Sequence, residues 1–132
     1  ASGTFLLVFI PERTHVYWPL IRDDDNIVAT LNEDMIYQWQ ESFGCQVLVP
    51  GRKPTDLVSF REGMDVALND QRALLIEFAQ HEGIHLLDLT DRLRDLAERG
   101  LTLHEPLETH YNAFVNRKMG EWIAEELDSL AP

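Results

Sequence analysis

The sequence holds a single cysteine, Cys45, so no internal disulfide can form and no multi-cysteine metal cage can be built. Basic residues are also scarce. Eleven Lys and Arg stand against 23 Asp and Glu, giving a formal net charge of −12. Nucleic acids and anionic membranes both attract a basic face, so neither is an expected partner. No apolar run approaches the roughly 18 to 20 residues that span a bilayer, so no transmembrane segment is expected. The amino terminus lacks a signal-peptide pattern, because Ala1-Ser2-Gly3 leads straight into an apolar run. It also lacks an initiating Met, so the chain is expected to be processed or excised from something longer.

What is present suits a single α/β domain over 1–132. Hydrophobic side chains make up 45% of the 132 residues, and a chain of this size buries roughly two thirds of its unfolded surface. Residues 4–10 (TFLLVFI) run apolar up to Pro11, the pattern of a strand buried on both faces. Pro19 is expected to keep Val16, Tyr17 and Trp18 out of mid-helix. After the N-capping turn at 23–26, Val28, Leu31, Met35, Trp39 and Phe43 recur at helical steps, which predicts a helix over 27–43 stopped by Gly44.

Residues 45–49 read as a short strand, followed by a loop at 50–54 (PGRKP). Thr55 or Asp56 caps the next helix, whose buried face is Leu57, Phe60, Met64, Leu68, Leu75, Phe78 and Ala79. Residues 84–89 read as a buried strand. Thr90 then caps a helix through Leu93, Leu96 and Ala97, and Gly100 stops it. A loop over 101–111 precedes a last helix capped by Asn112, with the stripe Val115, Met119, Trp122, Ile123, Leu127 and Leu130. Strands alternating with amphipathic helices predict a parallel sheet of two or three strands flanked by helices, a partial flavodoxin-like arrangement.

Two histidine clusters invite a chemical reading. His81-Glu82-Gly83-Ile84-His85 matches H-E-x-x-H, the zinc-hydrolase signature, which needs both histidines on one face of one helix. Gly83 interrupts it where the preceding helical stripe has run out, and a strand pattern follows, so a helix end and a strand histidine are the stronger reading. His104, Glu105, Glu108 and His110 share the loop before the last helix. Two histidines and a carboxylate can hold a divalent metal, but the spacing is not that of a known cage, and no metal or cofactor is expected. Glu108 and His110 alone have a sharper meaning. A carboxylate-oriented histidine beyond the carboxyl end of a strand is the base half of a serine triad.

The closing stretch carries a resemblance. Residues 83–90 (GIHLLDLT), then Leu93, Gly100 and Glu108-Thr109-His110-Tyr111-Asn112 before an amphipathic helix, resemble the carboxyl-terminal part of SGNH (GDSL-like) hydrolases. The branch they resemble includes bacterial envelope acyl esterases and acetyltransferases. Ile10, Pro11, Arg13, Val16 and Tyr17 match a second motif of that branch.

The resemblance implies an esterase or O-acyltransferase with His110 as catalytic base and Glu108 as its orienting carboxylate, in place of the usual Asp. Tyr111 stands for the family's Trp, and Val115 for a common Gly. Arg13, Tyr17, Tyr111 and Asn112 are the expected substrate-binding residues. The substrate class implied is an acyl ester such as an O-acetylated carbohydrate, and the location implied is the bacterial cell envelope or periplasm.

The family's nucleophile block, G-D-S, is missing, and so are its oxyanion Gly and Asn loops. Ser2, Ser42, Ser59 and Ser129 are the only serines, and none sits on a suitable strand-to-helix turn. The chain alone is therefore expected to be inactive and to correspond to the carboxyl-terminal portion of a larger SGNH-like protein. The rival expectation is a non-catalytic assembly module that forms a homodimer or docks onto a missing amino-terminal part.

Overall fold

β1 (Leu6–Phe9) and β4 (His85–Asp88) lie side by side in parallel, with Leu6 opposite His85 and Phe9 opposite Asp88. The pairing runs one step past the strand, where the Leu89 N–H donates to the Phe9 carbonyl at 3.1 Å. The computed structural model describes residues 5–34, 37–42, 45–50, 56–105 and 110–131, with the backbone alone at 34, 37–42 and 45–50. Five helices and two separate two-stranded sheets are present among the described residues, a mixed α/β chain. No described helix is long and apolar enough to cross a membrane. The chain divides into two compact units, Ala1–Trp18 with Ala79–Pro132, and Pro19–Phe78.

In the first unit, Val16, Leu87, Leu89, Leu93, Leu103 and Val115 form the centre of one apolar cluster, with Leu6 and Val8 of β1 packed against it. β1 itself is only half-buried, and Phe5 just before it is 65% exposed. The expectation of a strand buried on both faces is thus corrected. A two-stranded sheet leaves β1 paired along one edge only, among the described residues.

Helix α1 (Arg13–Ile21) runs through Pro19, against the expectation that Pro19 would exclude a helix there. Proline has no N–H for the carbonyl four residues back, which here belongs to His15. The Arg94 guanidinium fills that gap, donating from Nε at 3.0 Å and Nη2 at 2.9 Å to the His15 carbonyl. A charge-assisted fork replaces the missing backbone bond.

Two left-handed glycines mark the ends of α3 (Leu57–His81) and α4 (Thr90–Glu98). Gly83 has φ +64°, and Ile84 N–H reaches the Ala79 carbonyl while Gly83 N–H reaches that of Gln80. Gly100 has φ +79°, with Leu101 N–H on Leu96 and Gly100 N–H on Ala97. Both are Schellman closures, which a side chain at the glycine position would strain. At the start of α4 the expected Thr90 cap is corrected. The Asp88 carboxylate does the work, accepting from the Thr90 N–H at 2.9 Å, and Leu89 is the residue before the first turn. Asn112 caps α5 (Ala113–Leu130) as expected, accepting from the Val115 N–H at 3.0 Å. Leu127, expected on the buried stripe of α5, is exposed.

In the second unit, Asp24 caps α2 (Asp25–Asp34) through bonds from the Asn26 and Ile27 N–H groups. The helix expected over 27–43 stops at Asp34. β2 (Tyr37–Ser42) follows, pairing antiparallel with β3 (Cys45–Pro50) so that Trp39 faces Leu48 in register. Trp39 fits a helical step from residue 35, but Tyr37-Gln38-Trp39-Gln40 also alternates aromatic and polar, and cross-strand pairing favours the second period. Pro50 falls at the end of β3 rather than in a loop, a strand end being where proline is tolerated. Met35, Phe43, Gly44 and Thr55 lie outside the described residues.

Asp56 caps α3, accepting from the Ser59 N–H at 2.9 Å and the Ser59 hydroxyl at 2.7 Å. These bonds hold its carboxyl below the usual carboxylate range. Phe60, Met64 and Leu68 are buried as expected, whereas Phe78 is 52% exposed, a correction to the expected face.

Replacing Arg94 by Ala leaves the His15 carbonyl without its donor and is expected to cost about 1.5–3 kcal/mol, the usual worth of a hydrogen bond to a charged group. Urea denaturation measures the loss. Pro19→Ala in the same background restores an N–H for that carbonyl and is expected to recover part of it.

Candidate functional site: a hairpin beyond the parallel pair

Past α4 the chain folds back on itself as a short antiparallel connection. The Glu105 N–H donates to the His110 carbonyl at 3.0 Å and the Asn112 N–H to the Leu103 carbonyl at 2.9 Å, which sets His104 opposite Tyr111. Glu108, with the rest of 106–109, lies outside the described residues. His110, at the exit of the hairpin, is exposed.

Two bonds tie the base of the hairpin to the segment after β1 and to α1, and three local ones brace it. The Tyr111 hydroxyl donates to the carbonyl of Pro11, two residues beyond β1. The Tyr17 hydroxyl, on α1, accepts from the Leu103 N–H at 3.1 Å. Asn112 caps α5 with its oxygen and donates through Nδ2 to the Thr102 carbonyl at 2.6 Å. Asn116 adds a bond to the Tyr111 carbonyl at 2.9 Å. The hairpin therefore sits at the carboxyl end of β1, the end at which parallel α/β sheets gather their functional groups.

Arg13, Tyr17 and Tyr111 are brought together, and their common neighbour is His104. Its ring lies 4.4 Å from that of Tyr111 and 5.7 Å from that of Tyr17. It is 5% exposed, and neither ring nitrogen has a hydrogen-bond partner among the described residues. Burial lowers the His104 pKa below the ordinary histidine range, and the positive charge of Arg13 lowers it further. Burial also raises the Tyr111 hydroxyl well above the tyrosine range, with Tyr17 and Glu12 adding to the effect. The sequence places His104 with Glu105, Glu108 and His110 in one loop and does not single it out. Its position directly opposite an aromatic residue across the hairpin base is the feature that sets it apart.

The polar atoms of Tyr17, Tyr111 and Asn112 that were expected to touch a substrate are engaged with backbone groups of the fold. Arg13, at the start of α1, keeps an exposed side chain. The H-E-x-x-H residues are split between elements: His81 ends α3, Gly83 turns the chain, and His85 opens β4. Each histidine has its own carboxylate, Glu82 at 2.9 Å from His81 Nδ1 and Glu126 at 2.6 Å from His85 Nε2. No group of three or more metal-ligating side chains converges among the described residues.

No protein-family model, curated protein or solved structure matches the chain. The site is therefore read from its geometry.

Because Tyr111 is held neutral, it is expected to stay protonated where tyrosines normally ionise, near pH 10. Its folded pKa is raised, so its contribution to stability is complete below about pH 10 and is lost as the pH rises beyond that value. Tyr111→Phe is thus expected to leave the tyrosinate absorbance step near pH 10 unchanged in size. The same variant strips the fully buried Pro11 of its carbonyl donor and is expected to lower stability by about 1–3 kcal/mol.

Proposed function

We propose that the chain is the histidine-bearing, carboxyl-terminal portion of an SGNH-like serine esterase or O-acyltransferase. The observation that supports this reading is the lashing of the 104–111 hairpin to Pro11, which holds His110 beyond the carboxyl end of β1. In this reading His110 takes the proton from a serine hydroxyl as it attacks an acyl carbonyl, and returns it to the leaving alcohol. Glu108 fixes the imidazole's orientation, and exposed Arg13 lines the acyl-donor cleft. The serine comes from sequence outside this chain. An O-acetylated carbohydrate of a bacterial envelope is the substrate class that the motif resemblance implies.

The chain alone is expected to hydrolyse no aryl acetate. The product of the whole coding sequence is expected to do so, and His110→Ala there is expected to lower kcat by at least about 100-fold, general-base contributions being on the order of 10²–10⁴. Hydrolysis by the isolated chain, or an active whole protein indifferent to His110, would overturn the reading.

A second reading, a non-catalytic assembly module, draws on the half-buried β1, whose flanking Phe5 and Ile10 are 65% and 47% exposed. A strand paired on one side offers unpaired backbone groups to another strand. Sedimentation over a wide concentration range separates the two: a concentration-dependent dimer favours the module, and a strict monomer counts against it.

A further inference from the structure

We infer that His104 is an acid-sensitive latch, its neutral imidazole packed against Tyr17 and Tyr111 holding the base of the hairpin, Leu103–Glu105 and His110–Asn112, against α1 and its protonation releasing it. The inference goes beyond the hydrolase reading and does not depend on it, because the latch acts on conformation whether or not His110 is a base.

The packing leaves a cation at His104 no compensation. The side chain is 5% exposed and neither nitrogen has an acceptor among the described residues. The hydroxyl of Tyr111 is committed as donor to Pro11, and that of Tyr17 accepts from Leu103. The charged group of α1 that acts on His104 is Arg13, which repels an imidazolium. Glu12 of the same segment bears on Tyr111 instead and lies 3.7 Å from His15 Nδ1, and Glu105, next to His104 in the hairpin, is exposed. The two tyrosine faces attract a cation, but that attraction is smaller than the hydration the ring would give up.

Protonation is therefore favoured only where the ring meets water, which requires the hairpin base to separate from Tyr17. That base is short. Its bond to Tyr17 is the one from the Leu103 N–H, so opening leaves the pairing of Glu105 with His110 and of Asn112 with Leu103 in place and need not unfold the unit.

The sign follows from the lowered pKa. Above the ordinary histidine value of about 6.5 the ring is neutral in both states and the latch is closed. As the pH falls below that value only the open state binds the proton, until the lower folded-state pKa is reached. Over that window the open population rises about tenfold per pH unit.

Two measurements on the whole chain test this. In an NMR titration, the His104 ring resonance, assigned by its loss in His104→Phe, is expected to titrate below about pH 6.5. Amide hydrogen exchange at Leu103, whose N–H is held by the Tyr17 hydroxyl, corrected for intrinsic rates, is expected to lose protection by about tenfold or more between pH 7 and pH 5 in the wild type. His104→Phe, an aromatic that cannot take a proton, is expected to abolish that dependence. A ring that titrates at or above about pH 6.5 would overturn the latch. So would pH-independent protection in the wild type, or the same pH dependence in His104→Phe. If His104→Phe does not fold, the His104 ring resonance is assigned through its own backbone correlations, and the same two wild-type criteria decide the matter.

Discussion

The arrangement of the first unit depends on a carbonyl that its own helix cannot satisfy. Pro19 denies the His15 oxygen a backbone donor, and Arg94 of α4 supplies two. Helix α1 is thereby stitched to α4, and the residues one turn either side of His15 inherit fixed positions. Tyr17 meets Leu103, Arg13 comes near enough to act on His104, and Val16 enters the apolar cluster with Leu93. Without that bond α1 would carry an unpaired carbonyl on the side that packs. The cost of leaving such a group unmade exceeds the net worth of most single hydrogen bonds.

The hairpin beyond β1 is a second tier on the same footing. Its backbone pairing is minimal, and side chains from three places hold it: Tyr17 from α1, Tyr111 from the hairpin itself and Asn112 from the start of α5. Tyr17, Tyr111 and Asn112, three of the four residues expected to line a substrate site, also place the loop. The two roles are compatible in principle, since a tyrosine ring can line a cleft while its hydroxyl is bound elsewhere, but the polar contacts are structural. His110 and Arg13 both have exposed side chains.

Much of the first unit was legible because its punctuation is chemical. Gly83 and Gly100 announce left-handed helix ends, Asn112 announces a cap, and the residues between them had few alternatives. Pro19 misled because a local rule against proline in helices knows nothing of an arginine 75 residues later. Trp39 misled because it satisfied two periods at once, and only a partner strand decides between them. His104 and His110 look alike in sequence, six positions apart in one loop. Which is buried depends on Tyr17 and Tyr111, so the difference was not readable locally. The H-E-x-x-H match dissolved for the opposite reason, since Gly83 lay within the motif.

The pairing of β1 with β4 joins Leu6 to His85, with the whole of the second unit lying between them in the chain. Closing a loop of that length costs about 4 kcal/mol by (3/2)RT ln n before any contact repays it. The α2, β2, β3 and α3 contacts are local by comparison, so the intervening unit can gain structure before the parallel pair forms. The bonds from Arg94 to His15, Leu103 to Tyr17 and Tyr111 to Pro11 span as much of the chain or more, so the assembly of the first unit is the slow event in folding. Until the parallel pair closes, an apolar strand remains open to neighbouring chains, an association that the mutual repulsion of chains with a formal charge of −12 opposes.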